Sequence, residues 1–318
     1  INGNSKMITL VADVGGTQSR LGLIQNGVLN KKTTRKFLNS NFESFYKVIE
    51  QYFVDNEQKK ISSCVIALAG PIVAGRVSFT NLDWEITVSD LKKSTSCKKV
   101  TLINDLTSLG YCLEKLPSHG ITHITGPDTV SIHNGQYLVV GLGTGFNVCP
   151  VVSDGVGNPV CLQVELGHSS LPNNVKNSLD SEINAAGFNT VEDLFSGKGL
   201  GKLYQAMSGG EPKTGEAVAE EHLNGSNLIA TQTLELFSKL LGLMTRELAV
   251  QYLPVGGIYF AGSVSRGIFE AGMSAEFEKS FIKKPHFLKS LDELPINLIT
   301  DDAAGLLGCG VRSKIETL

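Results

Sequence analysis

No CxxC pair occurs among the six cysteines (Cys64, Cys97, Cys112, Cys149, Cys161 and Cys309), which lie scattered along 318 residues. That spacing suggests neither a disulfide framework nor a zinc cluster. No apolar run reaches the roughly 18 residues that a membrane helix needs. Residues Ile1 to Lys6 lack the apolar core of a signal peptide, and Met7 reads as the natural start. Positive charge is not in excess either. The formal net charge is −3 and the pI is near 6.1, which leaves no basic stripe for nucleic acid. Together these absences point to a reduced, cytoplasmic globular protein with neither a nucleic-acid nor a membrane partner.

What is present is ordinary in amount: 42% hydrophobic and 19% charged residues, over a length that suits two domains. The chain opens with an apolar run, Met7 to Ala12, that ends in Asp13. Gly15, Gly16 and Thr17 follow, then a second apolar run from Leu21 to Ile24, so strand, tight turn, strand is expected. Val28–Asn30 and Thr33–Phe37 suggest a third antiparallel strand. Residues 41–56 carry Phe42, Phe45, Tyr46, Val48, Ile49, Tyr52 and Phe53 at helical spacing, which reads as core packing. Strands over Ile61–Leu68 and Arg76–Thr80, a helix from Val88 and a strand over Lys99–Ile103 complete a mixed sheet with helices on its faces.

A similar order returns in the second half. Gln136 to Val140 ends in Gly141-Leu142-Gly143-Thr144-Gly145, with Phe146–Val152 as hairpin partner and Val160–Glu165 as the next strand. Helices are expected at Ser178–Ala186, Val191–Phe195 and Asn227–Leu253, and a strand at Gly257–Ala261. The duplication is visible in pattern more than in identity. Leu116 to Gly120 is the candidate junction.

Glycine turns between strands let backbone N–H groups approach a bulky anion, because no Cβ stands in the way. Two such turns facing one another can grip the phosphates of one nucleotide: Gly15, Gly16 and Thr17 on one side, Gly143, Thr144 and Gly145 on the other. Asp13 suits a hydrated Mg²⁺. Either turn alone is equally a plain hairpin bend. The glycines around Gly262 would let an adenine ring lie against backbone, or merely flank a core strand. Asn104 and Asp105 fit the N-cap of a following helix, Leu106–Leu116, as well as they fit a catalytic role.

Eight segments, from DVGGTQSR at Asp13 through LAGPIVAGRVSFTNLDW, LINDLTSLG, GLGTGFNV, ELGHSSLP, VEDLFSGKGLGKLY and GGIYFAGSVSR to DDAAGLLG at Asp301, together resemble the bacterial-type glucokinase family. This is a branch of the hexokinase, actin and Hsp70 superfamily. The match is collinear from Met7 to about Arg312. The resemblance implies a two-domain α/β fold of the actin-like ATPase (ribonuclease H-like) type with an interdomain cleft. A small domain over 1–115 would be completed by about 303–318, and a large domain would span 116–302. It also implies in-line transfer of the γ-phosphoryl group of ATP to the 6-hydroxyl of glucose, with Mg²⁺, commonly in a homodimer.

By the same resemblance Asp105 is the base, and Asn81, Asn104, Asp105, Glu165, His168 and Glu192 hold the sugar. A base for this step needs a carboxylate within about 2.6–3.2 Å of the attacking hydroxyl. An unperturbed aspartate, near pKa 3.9, is weak for that task at neutral pH. Phosphoryl transfer is mostly positioning and charge stabilisation, so aligning the hydroxyl suffices.

The chain departs from the family at one telling place. Around the sugar-binding glutamate the family reads GEGGH, whereas this sequence has Val164-Glu165-Leu166-Gly167-His168, so Leu166 is expected to reshape the pocket. ELGH also echoes the ROK sugar kinases, which include acylated-hexosamine kinases. Their CxCGxxGC zinc motif does not occur between His168 and Lys198. A kinase for another hexose and a sugar sensor without turnover are the alternatives.

Overall fold

The computed structural model describes residues 7–58, 60–79, 82–128, 134–153, 155, 158–282 and 293–315. The chain forms two compact units. One comprises Ile1–Pro117, Gly157–Cys161 and Asp301–Leu318, and the other Ser118–Val156 and Leu162–Thr300. Among the described residues no helix is long and apolar enough to cross a membrane.

In the first unit β1 (Ile8–Val14), β2 (Gln18–Gln25) and β3 (Val28–Leu38) form an antiparallel meander. β3 is a single strand where the sequence suggested a break, and a register shift between Leu21 and Leu23 absorbs the irregularity. On the far side of β1 lie β4 (Ser63–Leu68) and, after it, β7 (Lys99–Asn104), both parallel. The sheet order is thus β3-β2-β1-β4-β7, with β5 (Arg76–Ser78) and β6 (Glu85–Thr87) a separate small hairpin. Helix α1 (Phe45–Asp55) begins four residues later than its apolar period suggested. Ser44 takes the N-cap and accepts from the Lys47 N–H, while Asn39–Asn41 form a 3₁₀ turn. Helix α2 spans Val88–Thr95, and α3 (Asp105–Cys112) starts where β7 stops. α3 gives way to a 3₁₀ turn at Leu113–Lys115, shorter than the helix expected to reach Leu116.

The second unit repeats the plan. β9 (Gln136–Leu142) and β10 (Phe146–Val152) make an antiparallel hairpin, and β9 has the Ile258–Ala261 strand as its parallel neighbour. Ile296–Ile299 follows in parallel, and β8 (Ile121–Thr125) closes that edge antiparallel. The strand expected over Val160–Glu165 reduces to Val160–Cys161, because Leu166–His168 tightens into a 3₁₀ turn. The helix expected over Ser178–Ala186 lies earlier. Pro172, with φ −58°, stands at the N-cap of α4 (Asn173–Asp180), which buries Val175 and Leu179.

Helices α5 (Val191–Leu194), α6 (Gly197–Ser208), α7 (Gly215–Leu223) and α8 (Leu228–Tyr252) follow. α8 buries Leu234, Phe237, Leu241, Met244 and Leu248 at helical spacing, and Asn227 caps it by accepting from the Ile229 and Ala230 N–H groups. The core around it includes Phe260, Phe269, Phe277 and Phe281, whose rings meet at centroid distances of 5.4 to 6.1 Å.

The C-terminal helix Ala304–Arg312 returns to the first unit and lies against β1 and α3. Its contact with α3 is made at Gly308, where an added Cβ would overlap the Ser108 carbonyl oxygen. That neighbour is backbone inside a helix and has no room to move. Gly308→Ala should therefore destabilise the first unit by about 3 kcal/mol or more, read as a drop in urea midpoint. An unchanged midpoint would mean that the two helices are not closely packed.

Candidate functional site

In the first unit the turn between β1 and β2 is held from outside the hairpin. The Gly15 N–H donates to the Gln18 carbonyl at 3.0 Å. The buried side chain of Asn39 donates from Nδ2 to the Gly15 carbonyl at 2.8 Å and accepts from the Ser19 hydroxyl at 2.7 Å. The Asn39 N–H adds a bond to the Thr17 carbonyl at 2.9 Å. Sequence reasoning missed Asn39, which lies in a stretch without a motif. The turn backbone is left open: Gly16 and Thr17 are exposed, and a Cβ on Gly16 would meet nothing within 4 Å. The protein's own packing therefore does not demand glycine at 16.

Asp13, the last polar residue of β1 before this turn, pairs across the ladder with Arg20. A Cβ on Gly305 would come within 2.6 Å of its Oδ2, so the C-terminal helix approaches this carboxylate directly. Burial raises the Asp13 pKa, and the Arg20 guanidinium offsets part of the rise. Asp105 opens α3 at the end of β7. Asn104 is the N-cap, its Oδ1 accepting from the Leu106 N–H at 3.0 Å and the Thr107 N–H at 3.3 Å. Its Nδ2 donates to the Gly70 carbonyl at 3.4 Å. Asp105 itself accepts from the Leu106 N–H at 2.8 Å through Oδ1. Burial, and secondarily the like charge of Asp13, push the Asp105 carboxyl up to about 7. Asn81 lies outside the described residues.

In the second unit the Gly143–Gly145 turn closes with a Gly143 N–H bond to the Gly145 carbonyl at 3.0 Å. The start of α6 is tied to it by the Gly197 N–H donating to the Gly143 carbonyl at 2.9 Å. Glu192 is the pin of this region. Its Oε2 accepts from the Phe146 N–H at 3.0 Å. A Cβ on Gly145 would overlap that carboxylate, and one on Gly167 would lie 3.2 Å from it while overlapping the Phe146 carbonyl. A capping box between Thr190 and Asp193 fixes the short helix that carries Glu192.

Glu165 and His168 are exposed. Asn147, also absent from the expected site, orients Glu165 by donating to its Oε2 at 3.2 Å while accepting from the Leu166 N–H at 3.0 Å. A cavity of about 350 Å³ brings His168, Glu192, Thr144, Lys198 and Lys202 together. A second, of about 490 Å³, is lined by Gly143, Thr144, Lys198, Lys202, Lys213 and Ser263 among others. Gly262 serves the backbone: its φ is +107°, and a Cβ there would overlap the Leu142 carbonyl. Ser263 and Val264 are the residues of that segment that line the cavity.

Leu166, expected to reshape the sugar pocket, has a core contact. Its side chain is partly buried and packs against the hydrophobic core of the second unit. Among the described residues no group of three or more His, Cys, Asp or Glu side chains could hold a metal ion by itself.

A glucokinase family model matches residues 10–315. The chain belongs to the glucokinase family. It is 30% identical to the glucokinase of Pectobacterium atrosepticum over 312 residues, which covers 95% of each chain. A crystal structure of glucokinase from an Antarctic psychrotroph superposes with a TM-score of 0.82 at 26% identity, covering 96% of this chain and 98% of the other. A ROK family glucokinase from Streptomyces griseus, solved with glucose and AMPPNP, shares the fold with a TM-score of 0.61 at 16% identity, covering 95% and 98% of the two chains. The fold is the two-domain actin-like sugar-kinase type, and the enzyme is an ATP-dependent glucose kinase.

Leu166→Ala should lower stability by about 1–3 kcal/mol in thermal or urea denaturation, the cost of a cavity at a half-buried leucine. It should leave the ranking of glucose, mannose, N-acetylglucosamine and N-acetylmannosamine as substrates unchanged. A changed ranking at unchanged stability would place Leu166 in the sugar pocket after all.

Proposed function

We propose that Asp105 is the general base that aligns and deprotonates the 6-hydroxyl of glucose for attack on the γ-phosphorus of ATP. The observation that carries this is its environment. A carboxylate poised near pH 7 accepts a proton far better than one near 4, and burial beside Asp13 supplies that rise. Its Oδ1 accepts from the Leu106 N–H, and in this reading the 6-hydroxyl of the sugar meets the carboxylate at Oδ2. Asn104 donates to the Gly70 carbonyl and also bonds the Asp105 carboxylate through its side chain. In this reading Asn104 and Asn81 are both ligands of sugar hydroxyls.

The remaining sugar ligands would be Glu165, His168 and Glu192. Glu165 and Glu192 are acceptors, each already oriented by a donor, Asn147 and the Phe146 N–H respectively. His168 gives a donor and an acceptor together. The triphosphate would rest against the backbone of Asp13–Thr17 and of Gly143–Gly145. The open Gly16 and the lysines beside Thr144 support that placement. Adenine would lie by the segment that begins at Gly262.

The donor set suits Mg²⁺, which takes most of its ligands from phosphates and water and needs only one or two protein carboxylates. Asp13 would hold it through water. When bound, the ion neutralises charge that develops on the phosphoryl oxygens. The same reading has the enzyme working in the cytoplasm as a homodimer, after the family pattern.

Asp105→Ala should cut kcat by about 10²–10⁴-fold while glucose still binds, measured by coupled ADP release and by calorimetry. Normal turnover in that variant would end the proposal. The parent kcat/KM should fall as pH drops through about 7, since the base must be ionised. Stability gives an independent sign. The folded pKa lies above the unfolded one, so the favourable contribution of Asp105 is complete below about pH 4 and lost as pH rises through about 7. Asp105→Asn should accordingly be more stable than the parent at pH 8, by on the order of 2 kcal/mol, with the gap closing towards pH 4.

A further inference from the structure

Two cavities beside α7 in the second unit differ in chemistry. The larger, about 490 Å³, has the Gly143–Thr144 backbone and the side chains of Lys198, Lys202 and Lys213 in its wall. The smaller, about 320 Å³, is walled largely by apolar groups, among them Leu200, Leu223, Leu234 and Ile268. A triphosphate suits the first and a flat heteroaromatic base the second. The two share Gly197, Gly215, Glu216, Ser263 and Val264. Whatever joins phosphate to base must pass along these residues, and in a nucleotide that is the pentose.

Glu216 is the one carboxylate among the shared residues. It is an unfavourable group in a wall that receives a polyanion, unless the ligand offers it a donor. Among the described residues no cation pairs with it. Lys213, three positions earlier, is bound by Glu221 and stands 4.9 Å from the Tyr204 ring centre. Glu220, one turn later, lines the smaller cavity and adds charge of the same sign. An acid in the first turn of a helix has an ordinary use in offsetting the helix dipole. That use does not require a place in both cavity walls.

An ionised carboxylate only accepts hydrogen bonds. Between phosphates and base a ribonucleotide presents two neutral donors, its 2′- and 3′-hydroxyls. Resting on the nucleotide site proposed above, we infer that Glu216 accepts hydrogen bonds from the ribose hydroxyls and thereby selects ribonucleotides over 2′-deoxyribonucleotides as phosphoryl donor. It is a specificity residue, remote from the transferred group.

The experiment compares kcat/KM for ATP and 2′-deoxyATP at saturating glucose, in the parent, Glu216→Ala and Glu216→Gln. The parent should favour ATP by about tenfold or more, the size expected for losing a hydrogen bond to a charged acceptor. Glu216→Ala should bring the ratio close to one, by losing activity on ATP and not on the deoxynucleotide. Glu216→Gln, which keeps an acceptor without the charge, should fall between. A damaged fold lowers both activities together and leaves the ratio alone, so the ratio reads the contact itself. Equal use of the two nucleotides by the parent, or an unchanged ratio in Glu216→Ala, overturns the assignment. If Lys198→Ala and Lys202→Ala both leave the KM for ATP unchanged, the nucleotide site is misplaced and the assignment falls with it. That failure is distinguishable from a failure confined to Glu216.

Discussion

The chemistry of the first unit depends on how closely its C-terminal helix can approach β1 and α3. Gly305 and Gly308 are the residues at the contact, one against the Asp13 carboxylate and the other against the Ser108 carbonyl. Two side chains there would force the helix off the sheet and let water in. With glycine at both, the helix comes close to the Asp13 carboxylate, and the Asp13 and Asp105 carboxyls are each raised chiefly by burial. The like charge of Asp13 then adds to the rise at Asp105.

The second unit solves a different problem by a similar device. Glu192 must be held while keeping a free oxygen. Gly145 and Gly167 leave it room, the Phe146 N–H binds Oε2, and the capping box fixes its helix. Three separate stretches of sequence converge on one carboxylate, and none of them is free to change alone. Gly145, read from sequence as a phosphate contact, has this packing duty as well. The glycine at 16 has none, since a Cβ there meets nothing. Packing therefore accounts for the glycine at 145 and not for the one at 16.

The architecture was largely legible before any coordinates, and the reasons are local. Long apolar periods decide α1 and α8, and an asparagine before Leu228 marks the start of the latter. The strand–glycine–strand pattern recurs because each sheet contains the same kind of hairpin beside its parallel strands. Short elements fared worse. The expected strand through Glu165 runs into a 3₁₀ turn, whose backbone is tied by the Asn147 side chain, a contact between residues 19 apart. Helix α4 was displaced because Pro172 can open a helix, a signal the apolar pattern did not contain. Strand β8 and the Ile296–Ile299 strand pair across more than 170 residues, beyond the reach of any window. At Leu166 the sequence shows a change of volume, while its packing against the core is visible only in the fold.

Asn104 shows why plain and functional readings of a residue need not compete. A helix that begins at Asp105 needs a cap immediately before it, and asparagine is among the best caps. The cap bonds occupy the oxygen of the amide, and the Gly70 carbonyl takes one hydrogen of its nitrogen. The same side chain also bonds the Asp105 carboxylate, so the amide is fixed from several sides. A freely rotating asparagine would lose side-chain entropy on binding a sugar hydroxyl, whereas one locked by a helix end has lost it during folding. The same logic applies to Asp105, whose Oδ1 is held by the Leu106 N–H. Structural duty on one atom of a side chain is what makes the other atom precise enough for chemistry.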